Sequence, residues 1–324
     1  MLDFEKARQL IETELEKIPF NRSPAELYEP VRYILSLGGK RMRPALTLMS
    51  CSVFSDAVHQ AVKPALAFEI FHNFTLLHDD LMDQSALRRG KETVHRKWNP
   101  NVAILSGDVM SILSYRILAD TDEQYLRDLF QLFNATAMQV CEGQQWDMNF
   151  ESRMEVSVEE YLKMIELKTA VLIAACLKAG AITGGADELA SDLMFEFGRN
   201  LGMAFQIRDD YLDVFGDPKV FGKRIGNDIL NNKKTFLLIK ALELSKGKVR
   251  KELAGWLGGS DFDPLEKVRR VTEILTEMKI DDISAGLAAT HYDKAVQYLE
   301  RIDVPPERKA SLEEFAREMV QRKK

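Results

Sequence analysis

The segment from Pro64 to Asp83 constrains the fold most. It is apolar well beyond one face, with Ala67, Phe68, Ile70, Phe71, Phe74, Leu76 and Leu77 distributed around a helical wheel. A helix of that kind is buried nearly all round, in the middle of a protein. Yet it ends in HDDLMD, and carboxylates beside an apolar body are costly unless they are paired or bind a metal. A conflict of this sort between local preference and global position is where function is to be sought.

The other long segments also read with helical period. Residues 3–18 place Phe4, Ala7, Leu10, Ile11, Leu15 and Ile18 on one face, at steps of three and four. Residues 103–119, 125–142, 157–179, 188–214, 234–245 and 264–277 behave similarly, and no run alternates with period two for long enough to need a sheet. Gly-Gly at 38–39 and 184–185, Asn99-Pro100, Gly216-Asp217-Pro218 and the Gly258–Pro264 stretch break the helices, and none of these breaks resembles a flexible linker. With 18 glycines and 10 prolines in 324 residues, a turn-rich β architecture is disfavoured. The expectation is an all-α chain of roughly ten or more helices forming one domain over residues 1–324.

Charge and cysteine usage narrow the function classes. Lys and Arg number 44 against 50 Asp and Glu, a net charge of −6, which disfavours a general nucleic-acid binder. Cys51, Cys141 and Cys176 are widely spaced and contain no Cys-x-x-Cys, so neither a disulfide framework nor a zinc site is read, and the thiols count as small core hydrophobes. The first residues are acidic and amphipathic, without the basic-then-apolar pattern of a signal peptide. The longest notable apolar stretch, Ala170 to Leu177, is far too short to span a bilayer. A cytoplasmic location with no membrane span is expected.

The chemistry concentrates in two triplets. Asp79, Asp80 and Asp83 form Asp-Asp-x-x-Asp, and the pattern recurs at Asp209, Asp210 and Asp213. On even composition, two such triplets in one chain have a probability of order 0.003. Each outer pair is spaced i, i+4 on one helix face, where like charges destabilise an isolated helix by a few tenths of a kcal/mol. Solvated acidic helix ends are the bland alternative. Oxygen ligands for Mg2+ are the sharper one, because Mg2+ takes one or two carboxylates, keeps waters and bridges to substrate phosphates. Cations suited to a diphosphate accompany the triplets: Lys40, Arg41 and Arg43 in GGKRMRP, Arg88 and Arg89 after the first triplet, Lys168, and Lys223, Lys233 and Lys234 after the second. Gly216 to Lys223 fails as a phosphate loop, since five residues separate its glycines and Arg224 stands where Ser or Thr is required.

These residues resemble the trans-isoprenyl diphosphate synthases, or polyprenyl synthetases. Five blocks stand in the family order: GGKRMRP (38–44), HNFTLLHDDLMDQSALRRG (72–90), GQQWD (143–147), KTA (168–170) and QIRDDYLDVFGDPKVFGKRIGNDILNNKKT (206–235). The resemblance implies an isoprenoid-synthase-type helical bundle whose central cavity carries the aspartate motifs on opposite walls. It also implies a homodimer and a Mg2+-dependent head-to-tail condensation of isopentenyl diphosphate with an allylic diphosphate. By the same resemblance Lys40, Arg43, His72 and Arg89 hold isopentenyl diphosphate. Asp79 and Asp83, with Asp209 and Asp213, ligate several Mg2+ ions on the allylic diphosphate, and Asp80 and Asp210 complete the catalytic motifs. Arg88, Lys168, Lys223 and Lys233 bind the allylic diphosphate, while Thr169 and Gln206 offer oxygen dipoles to the allylic cation.

NNKKT lacks the glycine that many relatives carry before the lysine, which leaves the choice between Lys233 and Lys234 open. Product length is expected to depend on Phe71, Phe74 and Thr75, which precede the first motif. A bulky residue five positions before the motif and a small one four before it resemble synthases that stop near C20, geranylgeranyl diphosphate. Farnesyl diphosphate or a longer product is the alternative. A terpene cyclase would normally replace the second cluster and lack GGKRMRP. A non-catalytic partner subunit would typically lose aspartates from one motif. The basic C-terminal RKK could cap the isopentenyl site or be a solvated tail.

Overall fold

A computed structural model describes residues 2–153, 155–216, 225–259 and 262–321. The described residues are almost wholly helical: α1 (Phe4–Glu16), α2 (Ala25–Ser36), α3 (Met42–Phe54), α4 (Val62–Met82), α5 (Val94–Lys97), α6 (Pro100–Ala119), α7 (Glu123–Glu151), α8 (Val158–Ile165), α9 (Val171–Thr183), α10 (Glu188–Phe215), α11 (Asn227–Leu230), α12 (Phe236–Leu244), α13 (Gly247–Gly258), α14 (Pro264–Glu277), α15 (Ile280–Glu300) and α16 (Pro306–Gln321). The described strands are β1 (Leu87–Arg88) and β2 (Lys91–Glu92), an antiparallel pair. The all-α expectation holds.

Helix starts follow local chemistry. Asp3 accepts from the Lys6 amide at 2.9 Å, and Asn99 from the Val102 amide at 3.0 Å with Pro100 opening the helix. Ser157 and Glu160 form a reciprocal capping box, and Asp263 caps Leu265 and Glu266. Each such cap satisfies amides that would otherwise lack partners.

Two compact units divide the chain. The first comprises 1–137, 172–195 and 301–313; the second comprises 138–171, 196–300 and 314–324. In the first, α4 packs on α3 and α6, with Phe68, Ile70 and Phe71 buried. Of the apolar residues named in Pro64–Asp83, Ala67, Phe68, Ile70, Phe71 and Leu77 are buried, whereas Phe74 and Leu76 are half-buried. In the second, Phe150, Tyr161, Met164, Ile165, Met203 and Ile207 make one core cluster. Leu237, Leu238, Leu253, Val271 and Ile274 make another under α12, α13 and α14.

Several sequence expectations need correction. The stretch 157–179 is not one regular helix, because Glu166–Ala170 forms a π-helical turn between α8 and α9. Helices α2, α3, α13, α15 and α16 were not marked by period. The buried residues of α15 include Ser284, Ala288 and Ala295, and α3 is buried almost throughout, so neither shows an apolar stripe. Ala170–Leu177 is not the most membrane-like segment. By length and composition α6 could cross a bilayer, with 39% of its apolar window buried inside the protein. All three cysteines are unpaired, but Cys141 is exposed and not a core residue. Burial pushes the thiols of Cys51 and Cys176 up to about 11 and about 12.

His291 gives a pH prediction. Its Nδ1 lies 3.3 Å from Asn200 Oδ1. Burial first, then the charges of Lys294 and Arg199, push its pKa down to about 4. The unfolded chain binds this proton more readily, so stability is intact above about pH 6.5 and declines as pH falls toward the folded value. His291→Gln is expected to flatten that decline, read as a smaller shift in urea midpoint between pH 7 and pH 5 than in the parent.

Candidate active site

The first aspartate triplet sits at the C-terminal end of α4, and its three carboxylates have different surroundings. Asp80 is only 3% exposed and accepts both arms of the Arg88 guanidinium, at 2.7 and 2.8 Å. Burial raises its pKa, and the bond to Arg88 opposes that rise. Asp79 is half-buried, 3.9 Å from Arg88, and Asp83 is exposed at the helix end. The expectation for Arg88 was a diphosphate contact. In this structure its fork is closed on Asp80.

The β1–β2 hairpin fixes Arg88 and Arg89. Both turn residues have positive φ, 53° at Arg89 and 76° at Gly90, as a two-residue hairpin requires. Asp80 carbonyl accepts from the Ser85 amide at 2.9 Å, and Tyr33 hydroxyl donates to the Glu92 carbonyl at 2.8 Å, tying both ends of the loop down. Arg89 turns back to donate to the Gly38 carbonyl. A Cβ at Gly39 would lie 2.7 Å from that guanidinium, which explains the bare glycine in GGKRMRP. Arg89 also lines a cleft of about 560 Å³ with Tyr33, Leu37, Lys91 and Lys97.

Around His72 the cations gather. Arg43 lies 3.0 Å from His72 Nε2. Burial, followed by the charges of Arg43, Arg89, Arg88 and Arg41, holds the imidazole well below its usual range. It is therefore neutral and accepts from Arg43. Arg41 is spent on the fold, buried against Glu69 at 2.7 Å and the Leu35 carbonyl at 2.5 Å. Lys40 is exposed beside it. Such a surplus of guanidinium groups suits a phosphate-type anion. Phe71 is buried and Phe74 half-buried, with ring centroids 5.5 Å apart, and Phe74 contacts the His78 ring at 4.8 Å. The Thr75 hydroxyl donates to the His72 carbonyl at 2.8 Å.

The second triplet, on α10, repeats the division. Asp210 is 7% exposed and accepts from the Tyr161 hydroxyl and from Gln206 Nε2, the latter at 2.9 Å. Burial and the neighbouring Asp228 charge push its pKa up to about 7, against the opposing hydrogen bonds. Asp209 and Asp213 are half-buried, and Asp213 accepts from the Asp228 amide at 3.0 Å. Thr169 donates to Gln206 Oε1 at 3.1 Å, so Thr169, Gln206, Asp210 and Tyr161 form one chain of bonds.

Lys168 and Thr169 lie in the π turn, a feature that often marks functional sites. Lys168 Nζ donates to Asp147 at 2.6 Å. Burial would raise the Asp147 pKa, but the charges of Lys168 and Lys233 outweigh it and hold the group low. The charge of Lys233 thus reaches Asp147. Lys223 and the C-terminal RKK lie outside the described residues.

Asp147, Tyr161 and Asp228 were missed as site residues. Asp147 stands in a quoted block, but its partner is 21 positions away; Tyr161 is 49 positions from Asp210 and reads as a core aromatic. Among the described residues no three His, Cys, Asp or Glu side chains converge to hold a metal alone. Two i, i+4 carboxylate pairs nevertheless fit Mg2+, which takes few protein ligands when phosphate and water supply the rest.

Comparison with known proteins agrees with these blocks. Residues 24–275 match the polyprenyl synthetase family model. A short chain isoprenyl diphosphate synthase of Methanothermobacter thermautotrophicus is 37% identical, covering 89% of this chain and 88% of that protein. A geranylgeranyl diphosphate synthase of Methanosarcina mazei is also 37% identical, over 95% of this chain and 93% of its own. A crystal structure of a geranylgeranyl pyrophosphate synthase superposes with a TM-score of 0.94 at 43% identity, covering 100% of both chains.

The π turn supplies a stability prediction. A Cβ on Gly143 would lie 2.3 Å from the Lys168 amide nitrogen, and one on Gly202 would lie 2.6 Å from Ala170 Cα. Gly143→Ala is therefore expected to cost about 1–3 kcal/mol in denaturant unfolding. A variant as stable as the parent would contradict this packing.

Proposed function

We propose that the chain, which belongs to the polyprenyl synthetase family and is a prenyltransferase, joins isopentenyl diphosphate head-to-tail to an allylic diphosphate and stops at geranylgeranyl diphosphate. One observation carries the reading. Both Asp-Asp-x-x-Asp motifs bury a middle carboxylate against protein donors and leave the flanking i, i+4 pair more accessible, half-buried at Asp79, Asp209 and Asp213 and exposed at Asp83, and each has its own cations nearby.

In this reading Asp79 and Asp83 are Mg2+ ligands, as are Asp209 and Asp213. Held by these carboxylates, Mg2+ would supply positive charge to stabilise a departing diphosphate. Lys168 and Lys233, with Arg88 and Lys223, add positive charge for that anion. Arg43, Arg89 and Lys40 hold isopentenyl diphosphate, and neutral His72 adds a ring N–H while its other nitrogen accepts from Arg43. Thr169 gives its proton to Gln206, which leaves its oxygen lone pairs for the allylic cation. The isopentenyl double bond attacks that cation and a proton is then lost to the departed diphosphate. No nucleophilic Ser or Cys is required.

The protein is proposed to act as a cytoplasmic homodimer over one polyprenyl synthetase domain. Ile104, Leu105 and Ile112 on α6 are 45, 58 and 67% exposed, an apolar face suited to a second copy. The three unpaired cysteines suit a reducing compartment.

The test is product sizing. Purified protein is incubated with Mg2+, labelled isopentenyl diphosphate and, separately, dimethylallyl, geranyl and farnesyl diphosphates. A C20 alcohol after dephosphorylation is expected. A C15 stop, or C30 and longer, overturns the length assignment; no elongation by folded protein overturns the synthase reading. Phe74→Ala is expected to lengthen the product, and an unchanged distribution removes Phe74 from the floor of the product tunnel.

A further inference from the structure

The loop after the second motif carries an unusual burial. Lys267, on α14, is only 5% exposed. Its ammonium donates to Asn232 Oδ1 at 2.6 Å, and among the described residues it has no acidic partner. Burial lowers its pKa. A buried ammonium held by a neutral amide is an expensive arrangement, so a core-filling role alone would be met more cheaply by an apolar side chain.

Asn232, the partner of that ammonium, lies just after α11. Its φ is +53°, a left-handed conformation that glycine adopts at no cost and asparagine tolerates better than most residues. It directly precedes Lys233, whose amide donates to the Asp228 carbonyl at 2.9 Å. The same stretch of α14 braces the other end of α11. There Gly226, at φ +81°, lies so close to Val268 that a Cβ would come within 2.4 Å of the valine methyl. Gly226 and Asp228 both donate backbone amides to Asp213, to its carbonyl and its carboxylate.

We propose that Lys267 is a positioning residue: its buried ammonium clasps Asn232, locks the left-handed turn there, and so sets where Lys233 stands. Its effect on substrate rests on the synthase reading; its effect on the turn does not. The clasp gives the loop a fixed shape before substrate arrives, lowering the ordering cost of binding an anionic diphosphate.

Amide hydrogen exchange and steady-state kinetics on Lys267→Met, Asn232→Gly and the double variant test this, with full-length protein throughout. Lys267→Met keeps the buried stem and removes the donor. It is expected to speed exchange at 231–235 and to raise KM for the allylic diphosphate by roughly tenfold, with a smaller change in kcat. In the Asn232→Gly background the same substitution is expected to change neither exchange nor KM more than about twofold, because the clasp is already gone. Unchanged exchange at 231–235 in folded Lys267→Met overturns the proposal, as does an equal effect in both backgrounds. If the parent protein turns over no allylic diphosphate, the synthase reading fails while the exchange data still decide the clasp.

Discussion

A carboxylate at the end of an apolar helix must be given a partner, and both halves of this protein solve that problem in the same way. Asp80 takes the two-armed guanidinium of Arg88, and Asp210 takes the Tyr161 hydroxyl and the Gln206 amide. Each inner aspartate thereby becomes part of the fold. The i, i+4 pair on either side of it stays more accessible than the inner carboxylate. The hairpin that carries Arg88 and Arg89, and the π turn that carries Lys168 and Thr169, are both built around these anchors.

Close backbone approach is the second requirement. The π turn is flanked by Gly143 and Gly202, each at a point where a methyl group would strike the backbone of 167–170. The extra residue of a π turn re-aims side chains that a regular helix would direct elsewhere. Here it places Lys168 on Asp147 and Thr169 on Gln206. Without bare glycines the turn could not be packed, and without the turn the KTA block would point differently.

Much of this was legible in the sequence. The apolar run into HDDLMD predicted a buried helix with a polar end, and the i, i+4 spacing placed Asp79/Asp83 and Asp209/Asp213 each on one helix face. What the residues could not show is partnership across distance. Asp147, Tyr161 and Lys267 each act through a residue 21 to 49 positions away, and no local period encodes that. The π turn was invisible for a different reason: ELKTA has ordinary helix-compatible residues, and the close packing around it depends on glycines on other helices. Helix α15 was missed because it buries serine and alanine, whose small side chains make no apolar stripe.

The central claim is a division of labour within each triplet, with outer aspartates serving Mg2+ and inner ones serving the fold. Titrating turnover against Mg2+ concentration in Asp79→Asn and Asp80→Asn, alongside thermal unfolding of both, tests it most directly. The account predicts that Asp79→Asn keeps the parent's unfolding midpoint and loses Mg2+-saturable turnover by about a hundredfold or more, while Asp80→Asn unfolds at a lower temperature. An Asp79 variant with parental Mg2+ dependence, or an Asp80 variant with parental stability, would contradict it.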